Sequence, residues 1–454
     1  MNQPNARTWS SHYLFLMASI GSTVGLSNIW KFTFMVGENG GGAFVLVYLA
    51  SLIFIGIPVL TAEFMIGRIG GKSMVGTFRV LSEKYGLSSL WEYFGWVANV
   101  AVFLVLSFYC VIAGLTIDYT VASFTGAIGA MDSDAAVTHY NAILANPIRL
   151  MLYQGLFVFV TTLIVARGVK GGLEKSIRWM MPALFIILLI LLFYSAITGE
   201  FAETLAFMFK PDFSKMNATV VLNAFGQAFF SLGVGVGVIL TYGAYMPKES
   251  SITKSSATIA LTDGLVAIVA GLAIFPIVFQ YNLSPAEGPG LIFMTLPIAF
   301  GQMPGGTFIG ALFFVLLAFA ALSSSISLLE SVISRLEELS KSGRQKITWI
   351  SGFLLWFIGL GTVFSFNIWA DLTPLSFGPL EGRTIFGLID YFASNLIMPI
   401  GGILMAIIAG WLMNKEITQS ELRMTQTRLF LAWLFLVRYI APLVVTVIFL
   451  SNLG

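Results

Sequence analysis

The chain is organised as a series of long apolar stretches separated by short polar segments. A helix needs about 20 mostly apolar residues to cross the hydrocarbon core of a bilayer. We predict eleven transmembrane helices, at 12–35, 41–68, 89–124, 150–167, 174–197, 220–245, 255–280, 307–338, 346–366, 385–413 and 429–450. The apolar stretch 286–300 is too short to cross and is predicted to cap an outer vestibule.

Lysine and arginine are distributed unevenly between the predicted loops. If the N-terminus is cytoplasmic, the inside segments hold 18 of the 24 cationic residues and the outside segments hold four. The other two, Lys31 and Arg438, fall within predicted spans. Because cytoplasmic loops of membrane proteins are rich in lysine and arginine, the pattern predicts an internal N-terminus and an external C-terminus.

Two predicted spans are interrupted by small and glycine residues at corresponding places. The interruptions are at 20–28 (IGSTVGLSN) and 230–237 (FSLGVGVG), and they lie five helices apart. Each glycine costs a helix up to about 1 kcal/mol relative to alanine. The pattern predicts unwound first and sixth helices in a 5+5 inverted repeat (12–197 and 220–413), with 429–450 as an additional helix. The alternative is close packing of continuous helices through small residues.

Unwound backbone inside a membrane must direct its polar groups at something other than lipid. Freed carbonyl oxygens can bind a cation, and the N-terminus of a half-helix favours an anionic group such as a carboxylate. The two interruptions therefore predict a shared site for a cation and a small anionic or zwitterionic solute.

The composition excludes a water-soluble fold. The 454 residues are 57% hydrophobic and 10% charged, with a mean hydropathy of +0.89, whereas soluble domains carry about 25% charged residues. We predict an all-α polytopic membrane protein whose solvent is the lipid bilayer, with residues 1–454 as a single transmembrane domain. A net charge of +2 gives no indication of a nucleic-acid partner.

Several motifs resemble one known family. They are GSTVGLSNIWKF, ENGGGAFVLVY, GIPVLTAEFMIGR, GQAFFSLGVGVG and AALSSSIS, and they occur in this order along the chain. They look like the neurotransmitter:sodium symporter family, and eleven helices resemble its bacterial branch of leucine and related amino-acid carriers. The resemblance implies a bacterial plasma (inner) membrane location. It leaves the oligomeric state open, a homodimer included.

The resemblance implies two sodium sites. One, which also touches substrate, takes the Thr23 carbonyl, the Asn28 side chain, Ser231 and Asp263. The second takes the carbonyls of Gly21, Val24 and Ala320 and the hydroxyls of Ser323 and Ser324. Oxygen ligands of this kind suit a hard cation. The alternative for the serines is a hydrogen bond back to a carbonyl one turn earlier.

The resemblance also implies a substrate between the two interruptions. The substrate carboxylate is expected to meet amides near Leu26 and Ser27, the Tyr109 hydroxyl and the first sodium ion. The expected lining is Ser22, Thr23, Leu26, Ser27, Val105, Tyr109, Phe230, Ser231, Gly233, Val236, Ser324 and Leu328. The alternative for Tyr109 is an ordinary buried tyrosine.

Two glycines bear on the class of substrate. By the same resemblance, Gly25 occupies the position at which monoamine carriers have an aspartate, so its presence favours a substrate with its own carboxylate. Gly233 and Val236 are small and leave room for a bulky or aromatic side chain. Gly233 also resembles carriers of monoamines and GABA, so the sequence leaves the substrate open.

Asp263 is the most informative intramembrane charge. Ala267, one turn later, falls where chloride-dependent relatives carry a serine, whereas Tyr48, Gln227 and Ser231 match the other chloride-site positions. A fixed carboxylate can supply the negative charge that chloride brings in those relatives. We therefore expect sodium-dependent, chloride-independent transport. The alternative is a carboxylate merely hydrogen-bonded to neighbouring hydroxyls.

The resemblance identifies candidate gates as well. Lys31 and Asp390 match an outer pair that is usually arginine and aspartate, so we expect a looser closure because lysine lacks the bidentate fork. The alternative is a lysine that snorkels to the interface. Glu63 is expected to brace unwound backbone. The inner-gate positions are Trp9, Tyr245 and Glu338, with Arg7 as a candidate partner of Glu338.

On the fifth predicted helix, Gly172 and Pro182 resemble the family's Gly-x9-Pro motif, at which the cytoplasmic half unwinds and admits water to the second sodium ion. A simple kink is the alternative.

The function predicted is sodium-coupled uptake of a hydrophobic or aromatic amino acid by alternating access. Alternatives are a sodium-coupled carrier of a GABA- or taurine-like solute, a sodium-independent or proton-coupled carrier of the same fold, and a sensor that binds without transport. No His-Glu-x-x-His motif or paired histidines suggest an enzyme.

Overall fold

The computed structural model describes residues 8–128, 131–286, 288, 290–375 and 377–451. Within these residues every regular element is a helix and no strand occurs. Where a π turn continues an α-helix, the two are given as one helix. In chain order the helices are α1 (His12–Thr23), α2 (27–38), α3 (Gly42–Gly70), α4 (Met74–Tyr85), α5 (Leu90–Phe124), α6 (Ser133–Leu144), α7 (Pro147–Ala166), α8 (Val169–Thr198), α9 (Phe201–Phe209), α10 (Ala218–Ser231), α11 (Val238–Ala244), α12 (Ile252–Gln280), α13 (Leu291–Gln302), α14 (Gly306–Leu339), α15 (Arg344–Ser365), α16 (Ile385–Leu412), α17 (Lys415–Leu422) and α18 (Thr427–Ser451), with short 3-10 turns at Phe213–Lys215 and Gly378–Leu380.

Nine of the described helices are long and apolar enough to cross a membrane. They are α3, α5, α7, α8, α12, α14, α15, α16 and α18, and each coincides with a predicted span to within a few residues. The two other predicted spans are the interrupted ones, which appear as the pairs α1–α2 and α10–α11. The expectation that the first and sixth spans are broken is therefore confirmed as a structural feature.

The second interruption depends on its glycines. Gly233, Gly235 and Gly237 all have positive φ, at 61°, 93° and 83°, a region that residues with a Cβ atom adopt only with strain. A Cβ atom on Gly235 would lie 2.4 Å from the Met398 carbonyl oxygen of α16. The local sequence therefore specifies both the unwound backbone and its close approach to a neighbouring helix.

The helices pack so that the interrupted pairs are enclosed. The long helix α14 runs against α5, α11 packs along α3, and α12 packs along α8. Helix α1 contacts α8, α12 and α14. Both breaks therefore lie inside the helical bundle.

Four helices outside the predicted spans were not anticipated. They are α4, α6, α9 and α17, of 12, 12, 9 and 8 residues. Helix α13 corresponds to the short stretch that was expected to cap an outer vestibule.

Candidate functional site

A cavity of about 330 Å³ lies between the two interruptions. All twelve residues predicted to bind substrate line this cavity. Lys31 and Asp390, the predicted outer gate, line it as well. The structure therefore brings together, from α1, α2, α5, α10, α14 and α16, residues that are hundreds of positions apart in sequence.

Further lining residues were missed from the sequence. On α5 they include Val102 and Ile112, which share a helix face with the predicted Val105 and Tyr109. Residues three, four and seven apart lie on one side of a helix, so this spacing could have identified them. On α16, the same spacing identifies residues that share a helix face with the predicted Asp390 and recur every four residues. The resulting row is Phe386, Asp390, Ser394 and Met398.

One end of the cavity is built to accept an anion. The Tyr109 hydroxyl is buried and makes no hydrogen bond within the described residues. A Cβ atom on Gly25 would lie 3.5 Å from this hydroxyl and 2.6 Å from the Ser324 hydroxyl, so only glycine leaves that end open. Leu26 immediately precedes α2 and Ser27 begins it, and both line the same cavity. An unpaired O–H donor beside a helix N-terminus suits a carboxylate.

Beside this end lies a fully buried carboxylate, Asp263. The Asn28 amide donates to Asp263 Oδ1 (2.9 Å) and to the Ser231 hydroxyl (3.1 Å). The Ser231 hydroxyl donates to Asp263 Oδ2 (2.7 Å), and the Tyr48 hydroxyl lies 3.4 Å from the same atom. In the described part of the chain no cationic side chain pairs with Asp263. A charge held this way in low dielectric requires a counter-charge, which a small cation can supply.

The serines of α14 lie against α1. Ser323 and Ser324 both donate to the Ala320 carbonyl, at 3.0 and 3.3 Å. These are the bonds to the preceding turn that the sequence left as an alternative. A Cβ atom on Gly21 would lie 3.3 Å from Ser323 Cβ, so the end of α1 and the serine pair approach closely. Val24 follows at the end of α1 with an extended backbone.

Glu63 on α3 is buried beside the second interruption. Its Oε1 atom accepts a hydrogen bond from the Gly235 amide. This amide lies in the interruption, outside any helical hydrogen-bond pattern. This matches the prediction that Glu63 braces unwound backbone.

The predicted outer pair is not in contact in this conformation. The Lys31 ammonium lies 3.7 Å from the centroid of the Phe230 ring, a favourable cation–π geometry. The Asp390 carboxylate instead accepts a hydrogen bond from Ser394 (2.8 Å). Among the described residues no ion pair joins Lys31 to Asp390, although both face the cavity.

The opposite end is closed by polar contacts. The Trp9 amide donates to the Tyr245 carbonyl (3.3 Å), and the Tyr245 hydroxyl donates to Glu330 (3.1 Å). Glu330 is fully buried and pairs with Arg344. Sequence reasoning missed Glu330 and Arg344. Glu330 lies within a predicted span, so the rule that intramembrane charges are functional could have identified it.

Glu338 has partners that the sequence did not indicate. Its carboxylate accepts hydrogen bonds from the Ser73 amide (2.7 Å) and hydroxyl (2.5 Å). Arg335 lies 3.2 Å away. Arg7, the candidate partner, lies outside the described residues.

The start of α8 contains the predicted Gly-x9-Pro segment. In this conformation it is wound, with a π turn at Val169–Leu173 and Pro182 inside the following α-helix. A Cβ atom on Gly172 would lie 1.9 Å from the Ile164 carbonyl oxygen, so the glycine permits a close approach to α7. The next residue but one, Glu174, accepts hydrogen bonds from the Ser10 amide (2.6 Å) and hydroxyl (2.7 Å).

Comparisons with known proteins agree over the whole chain. The model of the Sodium:neurotransmitter symporter family matches residues 6–146 and 143–454. The sodium-dependent transporter YhdH of Bacillus subtilis is 35% identical over 457 residues, covering 100% of this chain and 99% of its own length. A sodium-dependent transporter of Haemophilus influenzae is 33% identical over 462 residues, with the same coverage.

A solved structure shows the same fold. The crystal structure of MhsT in complex with L-phenylalanine superposes with a TM-score of 0.89 at 37% identity, over 98% of this chain and 99% of MhsT. The family match and these relatives extend across both interruptions and the cavity between them. This chain therefore belongs to the sodium:neurotransmitter symporter family, and it is a membrane-embedded, sodium-dependent transporter rather than an enzyme.

Proposed function

We propose that this protein couples the inward flux of sodium to uptake of a hydrophobic or aromatic amino acid, without a requirement for chloride. The observation that carries the proposal is the cavity with two chemically different ends. Its anion-accepting end contains the unpaired Tyr109 hydroxyl and the start of α2. Much of its remaining wall is apolar and includes Val105, Val236 and Leu328.

The apolar walls support a bulky substrate side chain. A Cβ atom on Gly233 would have no heavy atom within 4 Å, so the second interruption leaves open space there. Phe108 and Phe386 contribute aromatic rings, with centroids 5.5 Å apart. The structural relative MhsT binds L-phenylalanine, which agrees with a cavity of this size and polarity.

The proposal includes the two sodium sites that the resemblance to the family implies. The first comprises the Thr23 carbonyl, Asn28, Ser231 and Asp263, with the substrate carboxylate completing the shell. The second comprises the carbonyls of Gly21, Val24 and Ala320 with the Ser323 and Ser324 hydroxyls. The first set contains its own carboxylate, and this supports chloride independence because Asp263 already neutralises one cation.

Alternating access requires both interrupted helices to cross the membrane. Counting α1–α2 and α10–α11 as spans gives eleven, of which ten form a 5+5 inverted repeat and α18 is an additional helix, all within a single domain. The excess of lysine and arginine on one side supports an internal N-terminus and an external C-terminus. The likeness to bacterial transporters supports residence in a bacterial inner membrane. In the same cycle Lys31 and Asp390 control the outer entrance, whereas Trp9, Tyr245 and Glu338 control the inner one, with Arg7 as a further candidate.

Water entry along α8 completes the proposed cycle. Gly172 and Pro182 weaken the helix near the second sodium site, so local unwinding there would hydrate the ion and release it.

A ligand screen tests the coupling and the substrate together. Purified protein is tested by thermal shift and by scintillation proximity with the twenty amino acids, GABA and taurine, in sodium and in potassium. We expect aromatic and large aliphatic amino acids to bind in sodium alone. Equal binding in potassium would indicate a sodium-independent carrier, and binding without accumulation in vesicles would indicate a sensor.

Ion replacement and labelling test the remaining statements. Uptake that collapses when gluconate replaces chloride would contradict chloride independence. For topology, single cysteines at Ser214 and Ser342, both exposed, are introduced into a Cys110→Ala background. An impermeant maleimide applied to intact cells should label position 214 and not position 342. The reverse result would contradict the orientation.

A further inference from the structure

Arg438 is a cation within a membrane-spanning helix that the transport site does not use. It lies on α18 opposite the last turn of α16, where a Cβ atom on Gly410 would lie 3.1 Å from Arg438 Cα. Both helices have a π turn at this level, at Ile408–Leu412 and Leu436–Ile440. The two backbones therefore approach closely and hold the arginine at a defined place.

The protein contacts the Arg438 guanidinium at its Nε atom and at one face. Its Nε atom donates to the Gly410 carbonyl (2.6 Å), and its central carbon lies 4.9 Å from the centroid of the Trp411 ring. The Trp411 indole N–H donates in return to the Arg438 carbonyl (3.1 Å). A guanidinium has five N–H groups. The four on its terminal nitrogens make no hydrogen bond or ion pair within the described chain, and these nitrogens are not enclosed by protein.

The surroundings of this fork are apolar and exposed. Trp411, Leu412, Phe435 and Tyr439 have 53%, 45%, 54% and 49% of their surface exposed. Tryptophan and tyrosine are characteristic of the membrane–water interface. Helix α16 ends at Leu412 and the polar helix α17 begins three residues later, so headgroups lie within reach of a long side chain.

We propose that Arg438 and Trp411 form a binding niche for the phosphate of an anionic phospholipid. An unpaired charge within a bilayer is costly, and a bound phosphate supplies the missing counter-charge. The planar fork matches two phosphate oxygens at once. The exposed rings of Phe435 and Tyr439 take the glycerol and the start of an acyl chain. A net negative lipid is selected because a zwitterionic headgroup leaves the guanidinium charge unbalanced.

Native mass spectrometry of the purified full-length protein tests the niche, with phosphatidylglycerol titrated into the detergent. We expect Arg438→Gln to weaken the tightest phosphatidylglycerol adduct by about tenfold or more, because charge-assisted hydrogen bonds are lost. Arg438→Lys keeps the charge but loses the fork, so an intermediate loss is expected. The matched control is Arg428→Gln, which removes an exposed charge from the same helix and should leave the adduct unchanged.

Competition separates the possible sources of phosphate. Excess inorganic phosphate and phosphatidylcholine should both fail to displace the adduct. Displacement by inorganic phosphate would assign the niche to a soluble anion, and equal binding of phosphatidylcholine would remove the selectivity for anionic lipid. Equal phosphatidylglycerol retention by wild type and Arg438→Gln would overturn the proposal.

A measurement on protein with Arg438 intact covers the case in which Arg438→Gln fails to fold. Tryptophan quenching by brominated phosphatidylglycerol is compared with quenching by brominated phosphatidylcholine. The contribution of Trp411 is taken as the difference from Trp411→Phe. We expect stronger quenching of Trp411 by the anionic lipid, and equal quenching by both lipids would count against the niche.

Discussion

At the residue scale, the proposed independence from chloride depends on the buried carboxylate of Asp263. Its hydrogen-bond partners in the described chain include Asn28, Ser231 and Tyr48, which are neutral. Asp263→Asn keeps the size and much of the hydrogen bonding but removes the counter-charge. We expect sodium affinity to fall by about tenfold or more, since a buried cation then lacks its partner. Sodium titration followed by thermal shift measures this.

The same variant distinguishes charge from structure. Chloride should restore part of the sodium affinity of Asp263→Asn, because a mobile anion can replace the fixed one. The titration is therefore run in chloride and in gluconate, with wild type as the control. If the sodium affinity of Asp263→Asn in gluconate equals that of wild type in gluconate, the carboxylate has only a structural role.

A substitution of Tyr109 is expected to affect thermal stability and substrate affinity differently. Its hydroxyl is buried without a hydrogen bond in the described chain, so Tyr109→Phe removes an unsatisfied donor and should leave thermal stability without ligand unchanged or slightly higher. Substrate affinity should fall by about tenfold or more, the usual cost of losing a hydrogen bond to a charged group. Scintillation proximity measures the affinity. A loss of stability with normal affinity would assign Tyr109 a packing role.

Most of the site residues could be predicted because they lie in motifs with an unusual local composition. The contact of the Lys31 ammonium with the Phe230 ring could not be predicted. From the sequence Lys31 was expected either to pair with Asp390 on α16 or to snorkel to the interface, and it lies over the Phe230 ring of α10 instead. The choice depends on how far apart those helices stand in one conformation, and no local pattern encodes that distance.

At the element scale, the unwound segment after α10 is specified by glycine backbone freedom in two distinct ways. Gly233 and Gly235 both have positive φ, but only Gly235 faces protein, where an added Cβ atom would lie 2.4 Å from the Met398 carbonyl oxygen. Gly235→Ala should therefore abolish folding or lower the unfolding temperature strongly. Gly233→Ala should cost only about 1–2 kcal/mol of backbone strain. Thermal unfolding of the two variants measures the difference.

Gly226→Ala serves as the control for that pair, since a Cβ atom on this helical glycine would meet only the Ile448 side chain, at 4.0 Å. It should be neutral or slightly stabilising. If Gly233→Ala and Gly235→Ala were equally tolerated, the close packing of the break on α16 would not matter for stability.

Helix α6 docks through an aromatic cluster that should respond to pH. The His139 ring packs edge-on against Tyr119 at 5.6 Å, and its buried Nε2 makes no hydrogen bond in the described chain. Burial, followed by the nearby Arg149, lowers the pKa of His139 below its ordinary value of 6.5, and Asp118 only partly opposes this. At mildly acidic pH the folded state therefore binds fewer protons than the unfolded state. The free energy of unfolding should fall as pH drops below the ordinary histidine pKa of 6.5.

The measurement is thermal unfolding as a function of pH in wild type and His139→Phe. The phenylalanine keeps the edge-on ring contact and cannot be protonated, so the loss of stability below pH 6.5 should be smaller in the variant. Identical pH profiles would exclude His139 as the cause.

The sequence predicted the long helices and their breaks better than it predicted the short helices between them. Long apolar stretches have a length that the bilayer dictates, whereas α4 and α6 are short and amphipathic, and their pattern resembles that of an ordinary loop. Glu330 and Arg344 were missed for a related reason. Their pairing joins α14 to the start of α15 and is decided by packing rather than by a local motif.

At the scale of the whole molecule, the two ends of the transport path are not equally closed. The inner end is held by Trp9, Tyr245 and Glu330 in a continuous set of hydrogen bonds. At the proposed outer end Lys31 and Asp390 face the cavity, and no ion pair joins them within the described part of the chain. In the proposed cycle, binding of substrate and sodium draws the outer helices together and so links occupancy to closure.

Such linkage makes a quantitative prediction. If sodium and the substrate carboxylate share one coordination shell, the factor by which sodium tightens substrate binding must equal the factor by which substrate tightens sodium binding. Couplings of this kind are typically about 5- to 150-fold. Substrate affinity is measured at low and saturating sodium, and sodium affinity is measured with and without substrate, using the amino acid that the screen identifies.

Tyr109→Phe supplies the control for this coupling. It should weaken substrate binding, yet because the hydroxyl is not assigned to a sodium shell, the size of the coupling factor should stay as it is in wild type. Asp263→Asn, by contrast, should reduce both factors together, since it disrupts the shell in which the two ligands meet. Because linkage is a thermodynamic identity for binding, unequal factors in wild type would mean that the two assays report different ions or sites. Equal factors close to one would mean that sodium and substrate bind independently, and the shared shell at Asn28, Ser231 and Asp263 would then be wrong.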